Sequence, residues 1–206
     1  IKVGKYIGDT ENVSLTYTNN KFSAYLSYYH HYMKNETQEK TSYQIYADTF
    51  WNQHIDQPYI YQDKEHDFST SFDYSFTKNH IAGMKYQGTF SSSNNNMNAI
   101  ETFYADNNLE ESIVSSTLQK QKPNTQLLNA FYDGQFTNKF GLHFDFDYVN
   151  KKSSSYQFTA EESSIPANSR RVTINSESAF KLIAGKLTGT YNLRENSQIE
   201  FGAEYN

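Results

Sequence analysis

Four separate stretches of this chain alternate, residue by residue, between an apolar or aromatic set and a polar set, and the apolar set contains no Asp, Glu, Lys or Arg. A period of two puts successive side chains on opposite faces of a strand. In the first stretch Val13, Leu15 and Tyr17, then Phe22, Ala24, Leu26 and Tyr28, alternate with Ser14, Thr16, Ser23 and Ser27. The second sets Phe68, Phe72, Tyr74, Phe76, Met84, Tyr86 and Phe90 against Ser69, Ser71, Asp73, Lys85 and Gln87. The third sets Leu128, Ala130, Tyr132, Phe136, Phe140, Leu142, Phe144, Phe146 and Tyr148 against Asn129, Asp133, Gln135, His143, Asp145 and Asp147, with Phe131 as the exception. In the fourth, Ile183, Leu187, Tyr191, Ile199, Phe201, Ala203 and Tyr205 oppose Ala184, Lys186, Thr188, Glu200 and Glu204. Such a ribbon has one face for an apolar phase and one for water. On a lipid-contacting face a charge near midplane costs about 2–4 kcal/mol, which explains its exclusion there.

Composition narrows the choice of apolar phase. The hydrophobic fraction is 36%, poor for a soluble core, yet 17% of residues are aromatic, led by 18 Tyr and 15 Phe. Disordered chains lack aromatics, whereas strands and membrane interfaces collect them. No apolar run approaches the roughly 20 residues of a membrane-spanning helix. With no Cys there is neither a disulfide framework nor a thiolate metal site. A net charge of −5 without a basic stripe argues against nucleic acid as a partner.

Polar knots divide the alternating runs: Thr18-Asn19-Asn20-Lys21, Thr77-Lys78-Asn79-His80, Thr137-Asn138-Lys139 and Asn192-Leu193-Arg194-Glu195-Asn196. Asn tolerates the left-handed backbone of tight hairpins, so each knot reads as a short turn. Eight strands of about 8–12 residues follow, close to the length that crosses a bilayer at a tilt, and residues 2–7 are a candidate ninth. Between hairpins lie three long polar connections, residues 34–65, 92–123 and 151–178. Short turns at one end and long loops at the other are the asymmetry of outer-membrane barrels. Some of these connections are expected to continue the strands beyond the membrane, since Tyr43, Ile45 and the run from Phe50 to Ile60 carry enough apolar residues to pair locally. Tyr28, Tyr29, Tyr32 and Tyr148 fall toward the long-loop end, where an aromatic girdle lies. The fold expected is all-β: an antiparallel up-and-down transmembrane β-barrel wall of 8–9 strands over residues 1–206, part of a larger barrel in the outer membrane. A soluble β-sandwich with one buried face is the competing architecture.

The stretches from Asn12 to Tyr29, Phe72-Asp-Tyr-Ser-Phe-Thr-Lys-Asn-His80 and Leu142-His-Phe-Asp-Phe-Asp-Tyr148 resemble the outer-membrane β-barrel family of Bacteroidota, itself similar to TonB-dependent receptors. Leu187-Thr-Gly-Thr-Tyr191 and Ile199-Glu-Phe-Gly-Ala-Glu-Tyr205 share its rhythm of strand, short turn and strand. The resemblance implies a plug domain before Ile1, further strands after Asn206, a TonB complex as partner and uptake of an extracellular solute. Two other functions stay open: a non-transporting structural or adhesion protein of the outer membrane, and a secreted β-rich binding module.

The residues themselves do not point to an enzyme. Asp145 and Asp147 share a face with His143, a pattern that a solvated lumen produces as readily as catalysis, and no Gly-x-Ser-x-Gly elbow is present. The six histidines lack ligand spacing, and the adjacent His30 and His31 point to opposite faces of a regular strand, so neither a metal nor a cofactor is expected. The lumen lining expected is Asp73, Lys85, Asp133, His143, Asp145, Asp147, Lys186, Glu200 and Glu204. Trp51, Tyr59 and Tyr61, placed in the first long loop, are the candidate ligand contacts, since aromatics on a scaffolded loop stack on solutes.

Overall fold

The computed structural model describes residues 2–194 and 197–206. They form one sheet of eight antiparallel strands in simple up-and-down order. The strands are β1 (Lys2–Thr18), β2 (Phe22–Tyr46), β3 (Phe50–Thr77), β4 (His80–Ala105), β5 (Asn108–Gln135), β6 (Phe140–Ser163), β7 (Arg170–Arg194) and β8 (Ser197–Tyr205), with a single 3-10 turn at Pro166–Asn168. Among the described residues β1 and β8 each pair on one side only, so the sheet is open.

Side-chain oxygens hold the short turns closed. Asn19 Oδ1 accepts from the backbone N–H groups of Lys21 and Phe22, both at 2.9 Å. Thr137 Oγ1 accepts from Lys139 and Phe140 at 3.2 and 3.0 Å, and Thr77 Oγ1 from Asn79 at 3.2 Å. This replaces the left-handed backbone expected there: the non-glycine residues with positive φ, among those described, are Asp106 (47°) and Asn107 (68°). That pair makes the two-residue β4–β5 turn, the conformation Asp and Asn tolerate best. Part of the fourth knot, Glu195-Asn196, lies outside the described residues.

Two expectations need correction. The three long polar connections are not loops: residues 34–65, 92–123 and 151–178 are mostly strand, and the hairpins close through short turns at their far ends too. Their polarity is that of a sheet with water on both faces, and cross-strand hydrogen bonding needs no apolar face once neighbours lie on either side. Residues 2–7 are likewise not a separate strand but the start of β1, paired with β2 from Lys2↔Glu39 to Thr18↔Ser23. Strands therefore run from 9 residues in β8 to 28 in β3 and β5.

The register carries the alternation across the whole sheet. One row reads Phe22, Tyr74, Ala82, Tyr132, Phe144, Leu187, Ala203, each residue directly opposite the next. The row behind the adjacent residues reads Ser23, Asp73, Gly83, Phe131, Asp145, Lys186, Glu204. The short turns are staggered relative to these rows. β2 begins at Phe22 itself, β4 begins at His80, two residues before Ala82, β6 at Phe140, four before Phe144, and β8 at Ser197, six before Ala203. At about 3.3 Å per residue and about 4.8 Å per strand, that drift tilts the strands by roughly 35° from the normal to the line of turns.

No second layer covers either face. Ala99 is the one buried hydrophobic among the described residues, and the apolar side chains of the alternating runs stand open: Phe72 is 40% exposed, Phe144 40%, Leu187 44% and Phe201 54%. A sandwich would have gathered these four into a dry interior. The architecture is a single-layer wall.

Candidate functional site

Residues directly opposite one another in a ladder share a face, as do residues two apart on one strand. By that rule the register places Asp73, Lys85, Asp133, His143, Asp145, Asp147, Lys186, Glu200 and Glu204 on one face of the sheet, opposite to the open aromatic face. Within it the structure brings some of these residues into contact. His143 Nε2 lies 2.6 Å from Asp145 Oδ2, and its Nδ1 is 3.9 Å from Asp133 Oδ2 on the neighbouring strand. Asn129 donates to Asp147 at 2.9 Å. Lys186 stands in register between Asp145 on β6 and Glu204 on β8. Lys85 stands in register with Asn129 and, beyond it, Asp147, while Glu200 sits apart at the level of Thr190.

Trp51, Tyr59 and Tyr61 lie on β3, not in a loop. Trp51 pairs with Ile45 and Ala105, Tyr59 with Thr37 and Met97, and Tyr61 with Asn35 and Asn95. Because β3 runs without a bulge from Phe50 to Ser75, all three share the face of Asp73. Trp51 is 43% exposed, while Tyr59 and Tyr61 are half-buried. The Lys2 ammonium sits 5.4 Å from the Tyr59 ring centroid, and its hydrogen bond to the hydroxyl holds the Tyr59 phenol below its ordinary pKa. Burial, then the charge of Asp63, pushes the Tyr61 phenol up. On this same face Glu65 is raised by burial, by the neighbouring carboxylate of Asp67 and by Asp63.

An apolar island interrupts the polar face, which sequence reasoning missed. Leu127, Val149 and Leu182 stand opposite one another across β5, β6 and β7 and line an open depression of about 450 Å³ with Lys85, Asn129 and Asp147. The signal was legible as doublets: Leu127-Leu128, Tyr148-Val149 and Leu182-Ile183 each put an apolar residue on both faces at one level. The face thus sets cations, carboxylates, amides and an apolar patch side by side. Among the described residues no group of three or more His, Asp or Glu is disposed to hold a metal ion.

No family model matches the sequence, and no curated protein does. Among solved structures the chain is similar to the ferric yersiniabactin uptake receptor of Yersinia pestis, with 10% identity, a TM-score of 0.45, and coverage of 96% of this chain and 27% of that one. It is also similar to the RagAB peptide importer in its closed-closed state, at 6% identity and a TM-score of 0.46, covering 95% of this chain and 31% of that one. A third is the ferric-catecholate import receptor Fiu of E. coli K12, at 10% identity and a TM-score of 0.31, with 98% and 54% covered. The chain thus spans about a third or less of the first two.

Proposed function

We propose that this sheet is a stretch of the wall of an outer-membrane β-barrel transporter of the TonB-dependent-receptor type, with its aromatic face on lipid and its polar face on a water-filled path. The observation that carries the reading is the open apolar face in a single-layer sheet. From the short turns it runs through Phe76 to Phe68 on β3, from Phe136 just past the end of β5 back to Leu128, and through Phe140 to Tyr148 on β6, without a charged residue. That is about the 9–11 residues a tilted strand needs to cross a bilayer, and the slant of roughly 35° falls in the range of such barrels. Beyond the band both faces turn polar, as they do where a wall leaves the membrane on the side of the longer hairpins.

In this reading the polar face lines the lumen, the Trp51, Tyr59 and Tyr61 side chains contact the incoming solute above the membrane, and the chain performs no covalent chemistry. The barrel would close through strands beyond these eight and hold a plug domain that the TonB complex works on. The Bacteroidota resemblance supports that partner set, and the solute stays unnamed. These 206 residues contain no cysteine, so labels can be placed in them one at a time in a full-length background freed of any other cysteine. Single cysteines at Phe72, Phe144 and Leu187, and at Asp73, Asp145 and Lys186, can carry spin labels in the full-length protein in bilayers. Labels at the first three positions should collide with dissolved oxygen and the other three with a water-soluble paramagnet. Equal access on both faces would overturn the wall.

A further inference from the structure

Where the apolar face ends on the side away from the short turns, lysines take over. Lys64 on β3 stands four residues beyond Phe68, Lys122 on β5 six beyond Leu128, Lys152 on β6 four beyond Tyr148, and Lys181 on β7 two beyond Ile183. Each offset is even, so every one of these ammonium groups belongs to the aromatic face. Lys120 follows on the same side of β5. All five are exposed, and among the described residues none forms an ion pair with a carboxylate. Lys64 rests over the Tyr32 ring, 5.7 Å from its centroid.

On β3 the charge is sorted by face. In Asp63-Lys64-Glu65-His66-Asp67 the carboxylates take the polar face while lysine and histidine take the aromatic one. Over the same stretch of β3 to β7 the aromatic face carries one carboxylate, Glu177, opposite Ser154. The lysines also follow the slant of the band. Lys152 is opposite Asn124, two residues closer to the short turns than Lys122, and Lys181 is opposite Asn150, two closer than Lys152. Lys64, Lys120 and Lys122 border a concavity of about 200 Å³ with the neutral donors Gln62, Ser92 and Asn94.

We propose that this belt binds the phosphate groups of anionic lipid headgroups in the leaflet on the long-hairpin side, an inference that rests on the wall reading above. Unpaired ammonium groups just past the end of the apolar band stand at headgroup height, where phosphate oxygens accept charge-assisted hydrogen bonds. The bilayer is the source of the phosphate, because the row of cations is drawn out along the band edge over several strands and not closed around one ion.

The test uses the full-length protein in phosphatidylcholine bilayers containing trace spin-labelled phosphatidic acid or spin-labelled phosphatidylcholine. The motionally restricted fraction of each label reports its preference for the protein surface. Phosphatidic acid should be preferred by roughly fivefold, and the preference should fall with added salt. The triple variant Lys64→Gln, Lys122→Gln, Lys152→Gln should lose most of it, while Lys151→Gln, at the same height on the polar face, should keep it. Inorganic phosphate in the buffer should leave the preference nearly intact; full displacement by it would mean a site for free phosphate and overturn the lipid assignment. Restricted lipid without headgroup preference, or a preference the triple variant retains, would overturn the belt alone. No restricted lipid of either kind would overturn the wall reading as well.

Discussion

The imidazole rings of His30 and His66 stack across β2 and β3 with centroids 4.5 Å apart and planes inclined by 22°. His31, next in sequence to His30, faces the other way and lies 3.1 Å from Thr10 Oγ1. His66 also takes a 2.7 Å hydrogen bond with the Tyr28 hydroxyl, and Nδ1 of His30 lies 3.1 Å from the Glu65 carbonyl. The pair therefore ties the two strands together at the edge of the aromatic band.

If that tie is cooperative, truncating either ring should cost about 1 kcal/mol and the two losses should not add. A double-mutant cycle of His30→Ala and His66→Ala, read by denaturant unfolding of the full-length protein in bilayers, measures the coupling. Strict additivity would show the stack to be incidental.

The two faces should respond oppositely to charge. Leu187→Arg puts a cation in the middle of the aromatic band and should cost about 2–4 kcal/mol or block assembly. Ala184→Arg, on the polar face of the same strand, should change stability little. Heat-modifiability on gels and unfolding in bilayers both read the difference, and equal tolerance would count against a lipid-facing side.

Two glycines should differ in tolerance. A Cβ on Gly202 would come 2.5 Å from the Leu187 backbone carbonyl oxygen, and a ladder cannot move aside. A Cβ on Gly83 would meet the far ends of Asp73 and Phe131, which can rotate away. Gly202→Ala is expected to destabilise by about 1–3 kcal/mol and Gly83→Ala by less, with Phe131→Ala relieving the latter. Proteolysis of β8 in the Gly202 variant would locate the damage.

Glu65 supplies a pH test outside the band. Burial, then Asp67, raises its folded pKa above the unfolded value, so the folded state holds this proton more tightly. Its contribution to stability is full below the unfolded pKa and is lost as pH rises through the folded one. Glu65→Gln should stabilise the protein at neutral pH, with the gain vanishing in acid. A gain that grows on acidification would reverse the assigned sign.

Solute recognition can be separated from assembly. Alanine at Trp51, Tyr59 and Tyr61 together should weaken ligand binding by roughly tenfold while leaving the amount of assembled barrel unchanged. Unchanged uptake and binding would remove these aromatics from the recognition surface.

Some of this was readable before any coordinates. Strict alternation with charge barred from one set, interrupted by Asn and Thr knots, was enough to define an antiparallel meander with one face apolar, because pleating ties side-chain direction to sequence parity. That the residues proposed for the lumen share one face was legible for the same reason: each lies an odd number of positions from an aromatic neighbour on the opposite face of its own strand. The long polar stretches were misread as loops, since period-two patterning vanishes when both faces are wet, while the hydrogen bonds that extend the strands come from neighbours and leave no local mark. Parity likewise predicted that His30 and His31 diverge, but not that His66 would receive His30.

What the sequence determined by itself is the sidedness of the ribbon and the position of its short turns, both consequences of local geometry. The tertiary structure decided register, and with it the stagger of the hairpins, the Leu127, Val149 and Leu182 island and the slanted line of lysines. Those features join residues far apart in the chain, and only cross-strand pairing sets which distant residue stands opposite which.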